Sequence, residues 1–150
     1  MFDRCIVLNN EVKIPQLGLG TWFIDDDKAA DTVKAAVEIR YRHIDTAQAY
    51  GNERGVGEGV RTCDIPRNEL FVVSKVAAEH KTYEEAMAGI NETLEKMGLD
   101  YLDMMIIHSP QPWAKVNQCE DRYVEGNRAA WKALEDAYMA GKFKAIGVSN

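Results

Sequence analysis

The sequence predicts an α/β fold built on parallel strands, and three observations carry that prediction. Short β-prone runs alternate with stretches of helical periodicity at intervals of roughly 25–40 residues, the rhythm of βαβ units. The runs themselves, such as Leu70-Phe71-Val72-Val73-Ser74-Lys75, are apolar on both faces, as strands are when helices cover one side and a packed interior fills the other. No cluster of Pro, Ser or Gly and no low-complexity tract divides the 150 residues, so residues 1–150 read as a single domain with a real core. Two architectures satisfy the pattern: an open doubly wound sheet, or part of a (β/α)8 barrel.

Taken in order, Ile6-Val7-Leu8 and Glu11-Val12-Lys13-Ile14 flank Asn9-Asn10, and the pattern suits a two-residue hairpin because Asn tolerates positive φ. Pro15 ends the second arm. Leu17-Gly18-Leu19-Gly20-Thr21-Trp22 is a short strand running into a loop, and its Gly-x-Gly lacks the third glycine of a dinucleotide fingerprint. Asp25-Asp26-Asp27 supplies an N-cap and negative charge at a helix start, a cap rather than a metal site. Ala30, Val33, Ala36 and Val37 give that helix its apolar face. The next strand covers about residues 41–46. Asn52 to Cys63 follows as a helix, weakened by Gly55, Gly57 and Gly59 at up to about 1 kcal/mol each.

After a loop at Pro66 and Asn68, the strand Leu70–Lys75 leads to Thr82-Tyr83-Glu84-Glu85, which fits a capping box. Met87, Ile90, Leu94 and Met97 then repeat at helical spacing until Gly98 stops the helix. Leu102–His108 is a strand ended by Ser109-Pro110. Residues from about 121 to 140 form a helix with Val124, Trp131, Leu134 and Tyr138 on one face and Gly141 as its stop. Ala145-Ile146-Gly147-Val148-Ser149-Asn150 is a fifth strand.

Composition narrows the class. With 46% hydrophobic and 28% charged residues and a net charge of −6, the chain reads as a soluble cytoplasmic protein with no nucleic-acid surface. No apolar run reaches the length of a membrane span, and the N-terminus lacks a signal peptide's apolar core. Cys5, Cys63 and Cys119 are odd in number and form no CxxC pair, so reduced thiols are expected rather than disulfides or zinc.

The chemistry gathers at strand ends. In a parallel fold every carboxyl end lies on one face, and three consecutive strands end in Asp45, Lys75 and His108. By alternation Asp45 shares a side with His43, Lys75 with Val73 and Phe71, and His108 with Ile106 and Met104; Ile44, Val72, Ser74, Met105 and Ile107 face the helices. Tyr50, in the loop after the second strand, reaches over the same place. A phenol is too weak an acid to be an ideal donor at neutral pH, but a neighbouring ammonium stabilises its phenolate and an aspartate holds that ammonium charged and oriented. A histidine can then fix a carbonyl oxygen by hydrogen bonding. The four groups together polarise and protonate a carbonyl, and they make no metal cluster. Elsewhere, His43 reads as a packed interior residue, His80 as solvated, and Trp131 as core.

Asp45-Thr46-Ala47…Tyr50-Gly51-Asn52-Glu53, Ser74-Lys75 and Ile107-His108-Ser109-Pro110, with Gly20-Thr21-Trp22 before them and Gly147-Val148-Ser149-Asn150 after, resemble the aldo-keto reductase family. The likeness spans essentially the whole chain. Lys75-Val76-Ala77-Ala78-Glu79 and His108-Ser109-Pro110-Gln111-Pro112-Trp113 look most like its bacterial 2,5-diketo-D-gluconate reductase-like branch. The resemblance implies a (β/α)8 TIM barrel whose floor is plugged by the N-terminal hairpin. Of that barrel this chain carries the hairpin and about five parallel strands with four helices. It implies reduction of an aldehyde or ketone to an alcohol by NADPH, with NADH as the alternative. Tyr50 would donate the proton, Lys75 and Asp45 would tune it, and His108 would orient the carbonyl. Gly20, Thr21, Asp45, Ser149 and Asn150 would lie along the nicotinamide, and Trp22 and Trp113 would wall the substrate site.

The sequence also departs from the family. Five strands stand where the barrel has eight, so the expectation is a fragment whose later strands, with an aromatic that stacks on nicotinamide and the basic groups for the 2′-phosphate, are missing. Such a chain is expected to reduce carbonyls poorly alone and to self-associate through open sheet edges; a non-catalytic, self-associating module is the competing reading. Arg40 stands where relatives carry glycine, at a cost on the order of 1 kcal/mol if the site needs positive φ. Ala77 stands where close relatives have proline.

Overall fold

The computed structural model describes residues 4–150; Met1, Phe2 and Asp3, on which part of the reading of the N-terminus rests, lie outside the described residues. The hairpin comes first, as β1 (Cys5–Val7) and β2 (Lys13–Pro15), but its loop has three residues rather than two. Leu8 N–H donates to Val12 O at 2.8 Å and Glu11 N–H to Leu8 O at 3.0 Å, leaving Asn9, Asn10 and Glu11 between the arms. Glu11, not an Asn, takes the left-handed conformation, with φ 66°. The reason is register. The longer loop sets Ile6 opposite Ile14, whereas a two-residue loop would set Ile6 against Lys13. Asn10 Nδ2 donates to Lys144 O at 2.9 Å, and the His43 ring meets Pro15 O at 3.0 Å, so the hairpin sits at the amino ends of the strands.

Parallel strands β3 (Leu19–Gly20), β4 (His43–Asp45), β5 (Phe71–Val76), β6 (Leu102–Ile107) and β7 (Phe143–Val148) lie side by side in chain order. Between them run α1 (Asp26–Glu38), α2 (Glu53–Thr62), α3 (Tyr83–Met97) and α4 (Val124–Met139). This order decides between the two architectures. A doubly wound sheet reverses its strand order to cover both faces, whereas unreversed right-handed crossovers put every helix on one face, as in a barrel. Ile44, Val72, Met105 and Ile107 are accordingly buried in one cluster with Val33 of α1, Val56 of α2, Ile90 of α3 and Leu134 of α4. The opposite face carries His43, Asp45, Lys75, Met104 and Ile106.

The helices follow the sequence signals, with differences on α1 and α4. On α3, Thr82 and Glu85 make both halves of the capping box, and Gly98 ends the helix at φ 62°. On α1, Ala30, Val33, Ala36 and Val37 are buried as their spacing predicts, but Asp25 at the N-cap position makes no side-chain cap. It pairs with Lys28 instead, while Asp26 reaches out of its own helix to accept from Gly55 N–H at 2.8 Å and Arg54 Nε at 2.7 Å. On α4, the buried stripe is Ala130, Ala133, Leu134 and Ala137, while Val124 is exposed and Tyr138 lies at the rim. Alanines win that face because small side chains let the helix approach β6 and β7 closely. Trp131 is half-buried against the core and donates its indole N–H to Glu135 at 3.0 Å.

The glycines of α2 are explained by contact. A Cβ on Gly55 would stand 2.0 Å from Asp26 O, on Gly57 2.2 Å from Met97 O, and on Gly59 2.7 Å from the Val33 Cβ. The three residues that weaken the isolated helix are those that let α1 and α3 touch its backbone.

Arg40 occupies the left-handed position expected for a glycine, with φ 79°. Arg40 N–H donates to Val37 O at 3.0 Å and Tyr41 N–H to Ala36 O at 2.9 Å, the paired bonds of a Schellman end to α1. Arg40→Gly is therefore expected to stabilise the chain by about 1 kcal/mol, read as a higher urea midpoint at unchanged slope.

Candidate active site

Alternation along β4 and β5 turns Asp45 and Lys75 to the same side, and the residues after each strand complete the site. Tyr50 ends a 3₁₀ turn, Gln48–Tyr50, that is closed by Gly51 at φ 68°. His108 directly follows β6, its N–H donating to Val76 O at 3.1 Å. The Lys75 side chain runs up the interior face and is 7% exposed as a residue.

Every proton of the Lys75 ammonium has an acceptor. It forms an ion pair with Asp45 Oδ1, donates to Thr46 O at 2.9 Å, and reaches Tyr50 Oη at 3.3 Å. Because Lys75 has only protons to give, Tyr50 Oη accepts from it and keeps its own proton to donate elsewhere. The direction of that proton is set by the neighbours. Trp22 stacks over the Tyr50 ring at 6.3 Å, and the His108 ring stands edge-on to it at 5.6 Å. Trp113 stands edge-on to His108 at 4.9 Å, and its backbone N–H donates to Glu79 Oε1 at 3.2 Å.

These rings, with Ala49, line a mouth of about 360 Å³. A larger groove of about 540 Å³ lies on the outer side between α2 and α3, lined by charged side chains such as Asp26, Arg54, Glu95 and Lys96. The smaller space is the one that Tyr50 and His108 line, with Lys75 and Asp45 held behind Tyr50.

Burial, and after it the Lys75 charge, hold the His108 imidazole below its ordinary value, so it is neutral at pH 7. Its Nδ1 is buried with no hydrogen-bond partner among the described residues. An orphan lone pair costs less than an orphan N–H, so the proton belongs on Nε2, free for a carbonyl oxygen in the mouth.

The residues assigned to a cofactor are placed around the same opening, in different ways. Gly20 pairs in register with Asp45, and a Cβ there would meet nothing within 4 Å, so that strand end has room for a flat ring. Ser149 Oγ and Asn150 Nδ2 both donate to His108 O, at 2.7 and 2.8 Å, which leaves the Asn150 carbonyl as an acceptor. Thr21 is fully buried, with its hydroxyl donating to Asp45 O at 3.1 Å. It holds the strand end that carries the aspartate and turns no side chain to the mouth.

Sequence reasoning missed the role of Asn52. Its side chain does not cap α2. Fully buried, it accepts from Thr46 Oγ1 at 2.9 Å and donates to Thr21 O at 2.8 Å and Ile24 O at 2.9 Å. It thereby ties the β3–α1 loop to the turn that bears Tyr50. An Asn before a helix signals a cap, and nothing in the sequence distinguishes a cap from such a strut. Phe23 was also overlooked. It stacks on Trp22 at 4.4 Å, stands exposed, and holds φ 64°. His80, expected to be solvated, is half-buried against Gly89, its Nδ1 without a partner among the described residues, because the loop folds back over α3.

His43 is the packed residue expected, edge-on to Phe71 at 5.5 Å. Pro15 O can only accept, so Nδ1 carries the proton and Nε2 is a buried lone pair without a partner among the described residues. Burial lowers its pKa, against the pull of Pro15 O, because protonation would orphan an N–H. The sign follows. Below pH of about 6.5 the unfolded chain takes up a proton that the native ring refuses, so stability is full above that pH and falls on acidification. His43→Gln is expected to flatten the loss in urea midpoint between neutral and mildly acid pH, while His108 acts in the same direction and Glu53, raised by burial, acts against it.

The family model described as Aldo/keto reductase family matches residues 16–150. A 9,11-endoperoxide prostaglandin H2 reductase of Trypanosoma cruzi is 43% identical over 98% of this chain and 48% of its own length. A glyoxal reductase of Bacillus subtilis is 42% identical over 97% of this chain and 49% of its own length. The crystal structure of a Bombyx mori aldo-keto reductase in complex with NADP superposes with a TM-score of 0.79 at 33% identity, covering 97% of this chain and 50% of that one. The chain thus spans about half the length of the curated relatives it matches.

Proposed function

The chain belongs to the aldo-keto reductase family, and from that premise we propose that it serves NADPH-dependent reduction of an aldehyde or ketone to an alcohol. The observation that carries this is the Lys75 ammonium, which donates to Tyr50 Oη while held by Asp45. It leaves Tyr50 with one proton to give and a cation to stabilise the phenolate that results. The carbonyl oxygen would sit between Tyr50 Oη and His108 Nε2, with the rest of the substrate against Trp22 and Trp113. Gly20, Asp45, Ser149 and Asn150 would hold the nicotinamide end, with Thr21 behind them fixing the strand end that carries Asp45; when bound, the cofactor supplies the hydride to the carbonyl carbon. The likeness to the NADP-bound Bombyx mori enzyme supports NADPH over NADH.

Partners follow the same reading: a small carbonyl compound in the mouth and, for the 150-residue polypeptide by itself, association through the β3 and β7 edges of its sheet. No helix among the described residues is long and apolar enough to cross a membrane, and we place the activity in the cytoplasm.

The test is NADPH oxidation driven by glyoxal or an aryl aldehyde. It is run on the chain alone and on the chain joined to the part of the Bacillus subtilis relative that it does not cover. Turnover by the joined protein, lost on replacing Tyr50, supports the proposal; an inactive but folded joined protein overturns it.

A further inference from the structure

Behind the site, on the helix side of β5, lies a buried polar chain that the proposed chemistry does not use. Glu53, in the first turn of α2, is 4% exposed, and Thr93 of α3 is 1% exposed. Ser74 Oγ donates to Glu53 Oε1 at 2.6 Å and Thr93 Oγ1 to the same oxygen at 3.0 Å. Gln48 Nε2 donates to Thr93 Oγ1 at 3.1 Å, and Gln48 Oε1 accepts from Ala77 N–H at 2.7 Å.

The polarity of this chain is forced from one end. A backbone N–H can only donate, so the Ala77 amide fixes which way the Gln48 side chain points. The Gln48 amide must then donate to Thr93, and the single Thr93 proton must go on to Glu53. Ser74 spends its proton there as well. The sequence therefore terminates in a group that only accepts, which is what a carboxylate is. A proline at 77 would remove the N–H that sets the direction. Burial raises the Glu53 pKa while Ser74 and Thr93 pull it back, with Lys96 and Glu92 of α3 acting from the solvent side.

The two ends of the chain locate its purpose. Gln48 begins the 3₁₀ turn that ends in Tyr50, while Ser74 and Ala77 bracket the strand end that carries Lys75. We propose that Gln48, Thr93 and Glu53 are positioning residues that clamp the Tyr50 turn to β5, setting the Tyr50 hydroxyl against Lys75 and its ring against His108. They touch neither substrate nor cofactor. This inference rests on the carbonyl-reducing reading of Tyr50 for its consequence, though not for its geometry.

The experiment separates the two. Thr93→Val keeps the shape of the side chain and removes its hydroxyl; Thr93→Ser keeps the hydroxyl and removes a methyl group; Gln48→Leu cuts the link at a half-buried position. In the 150-residue chain, the nuclear Overhauser contact between the Tyr50 and His108 rings is measured, assigned by difference against Tyr50→Phe. The contact is expected to be lost in Thr93→Val and Gln48→Leu and present in Thr93→Ser. In the joined protein, the first two are expected to lower kcat roughly tenfold to a hundredfold with KM unchanged, the scale of a misplaced catalytic group, and Thr93→Ser to restore it. A contact that persists in Thr93→Val while only the melting temperature drops overturns the proposal, since that is a purely structural effect. If Thr93→Val does not fold, Gln48→Leu decides alone by the same criterion. If the joined wild type is inactive yet the ring contact obeys the pattern, the reading of function fails and the clamp stands.

Discussion

Tyr50→Phe is expected to lower carbonyl reduction by the joined protein by about 10²–10⁴-fold, the usual worth of a positioned general acid, with KM close to unchanged. The substitution removes one oxygen and leaves the ring. Phenylalanine can keep the stack beneath Trp22 and the edge contact to His108, so the shape of the mouth survives. What disappears is the hydroxyl to which Lys75 donates. The ammonium keeps Asp45 and Thr46 O, so the buried charge remains paired and the fold should be little affected. A fall in kcat without loss of thermal stability is therefore the signature. Steady-state NADPH oxidation alongside a melting curve measures both, and an unchanged kcat would remove Tyr50 from the role of proton donor.

Gly57→Ala is expected to destabilise the chain by on the order of 3 kcal/mol, the upper part of the range for overpacking, although alanine is the better helix former by about 1 kcal/mol. At Gly57 the added methyl would lie 2.2 Å from Met97 O and 2.3 Å from Met97 Cα. Those are backbone atoms at the last residue of α3, just before the Gly98 stop, and they cannot rotate away as a side chain would. Either α3 moves off α2 or the end of α3 unwinds. Urea denaturation with an unchanged slope and a lower midpoint would confirm the cost. A midpoint that rose would mean that helix propensity outweighs contact at this position.

Asp45, Lys75 and His108 were legible because their placement depends on two rules that survive any detail of packing, and Tyr50 because its turn follows the strand that ends in Asp45. Parallel strands present one end on one face, and alternation fixes which residues of β4, β5 and β6 share it. The capping box at Thr82 and the glycine stop at Gly98 were legible for a similar reason, since both ends of each interaction lie within one helical turn. What sequence did not reveal depends on distant partners. The hairpin loop took three residues because of the cross-strand match of Ile6 and Ile14, which a local turn preference does not see. Asp26 was read as a cap for its own helix, yet it accepts from the amide of Gly55 in the next one. Of the large residues assigned to the buried face of α4, Leu134 is buried and Trp131 packs against the core, but Val124 and Tyr138 are exposed. Alanines fill the rest of the stripe, since closeness of approach there outweighs side-chain size. The glycines of α2 looked like defects for the same reason. Their benefit lies in Asp26, Val33 and Met97, on other helices.

Asn52 has a bearing on how such a site can change over time. One buried amide holds both the loop that carries Trp22 and the turn that carries Tyr50. The wall that selects a substrate and the acid that acts on it are thus mechanically joined. A substitution that reshapes residues 21–24 to admit a new carbonyl compound also pulls on the proton donor. Variation in this wall is free only where the Thr21 and Ile24 carbonyls stay in place, so side chains between them, at Trp22 and Phe23, are where specificity can drift without disturbing the acid.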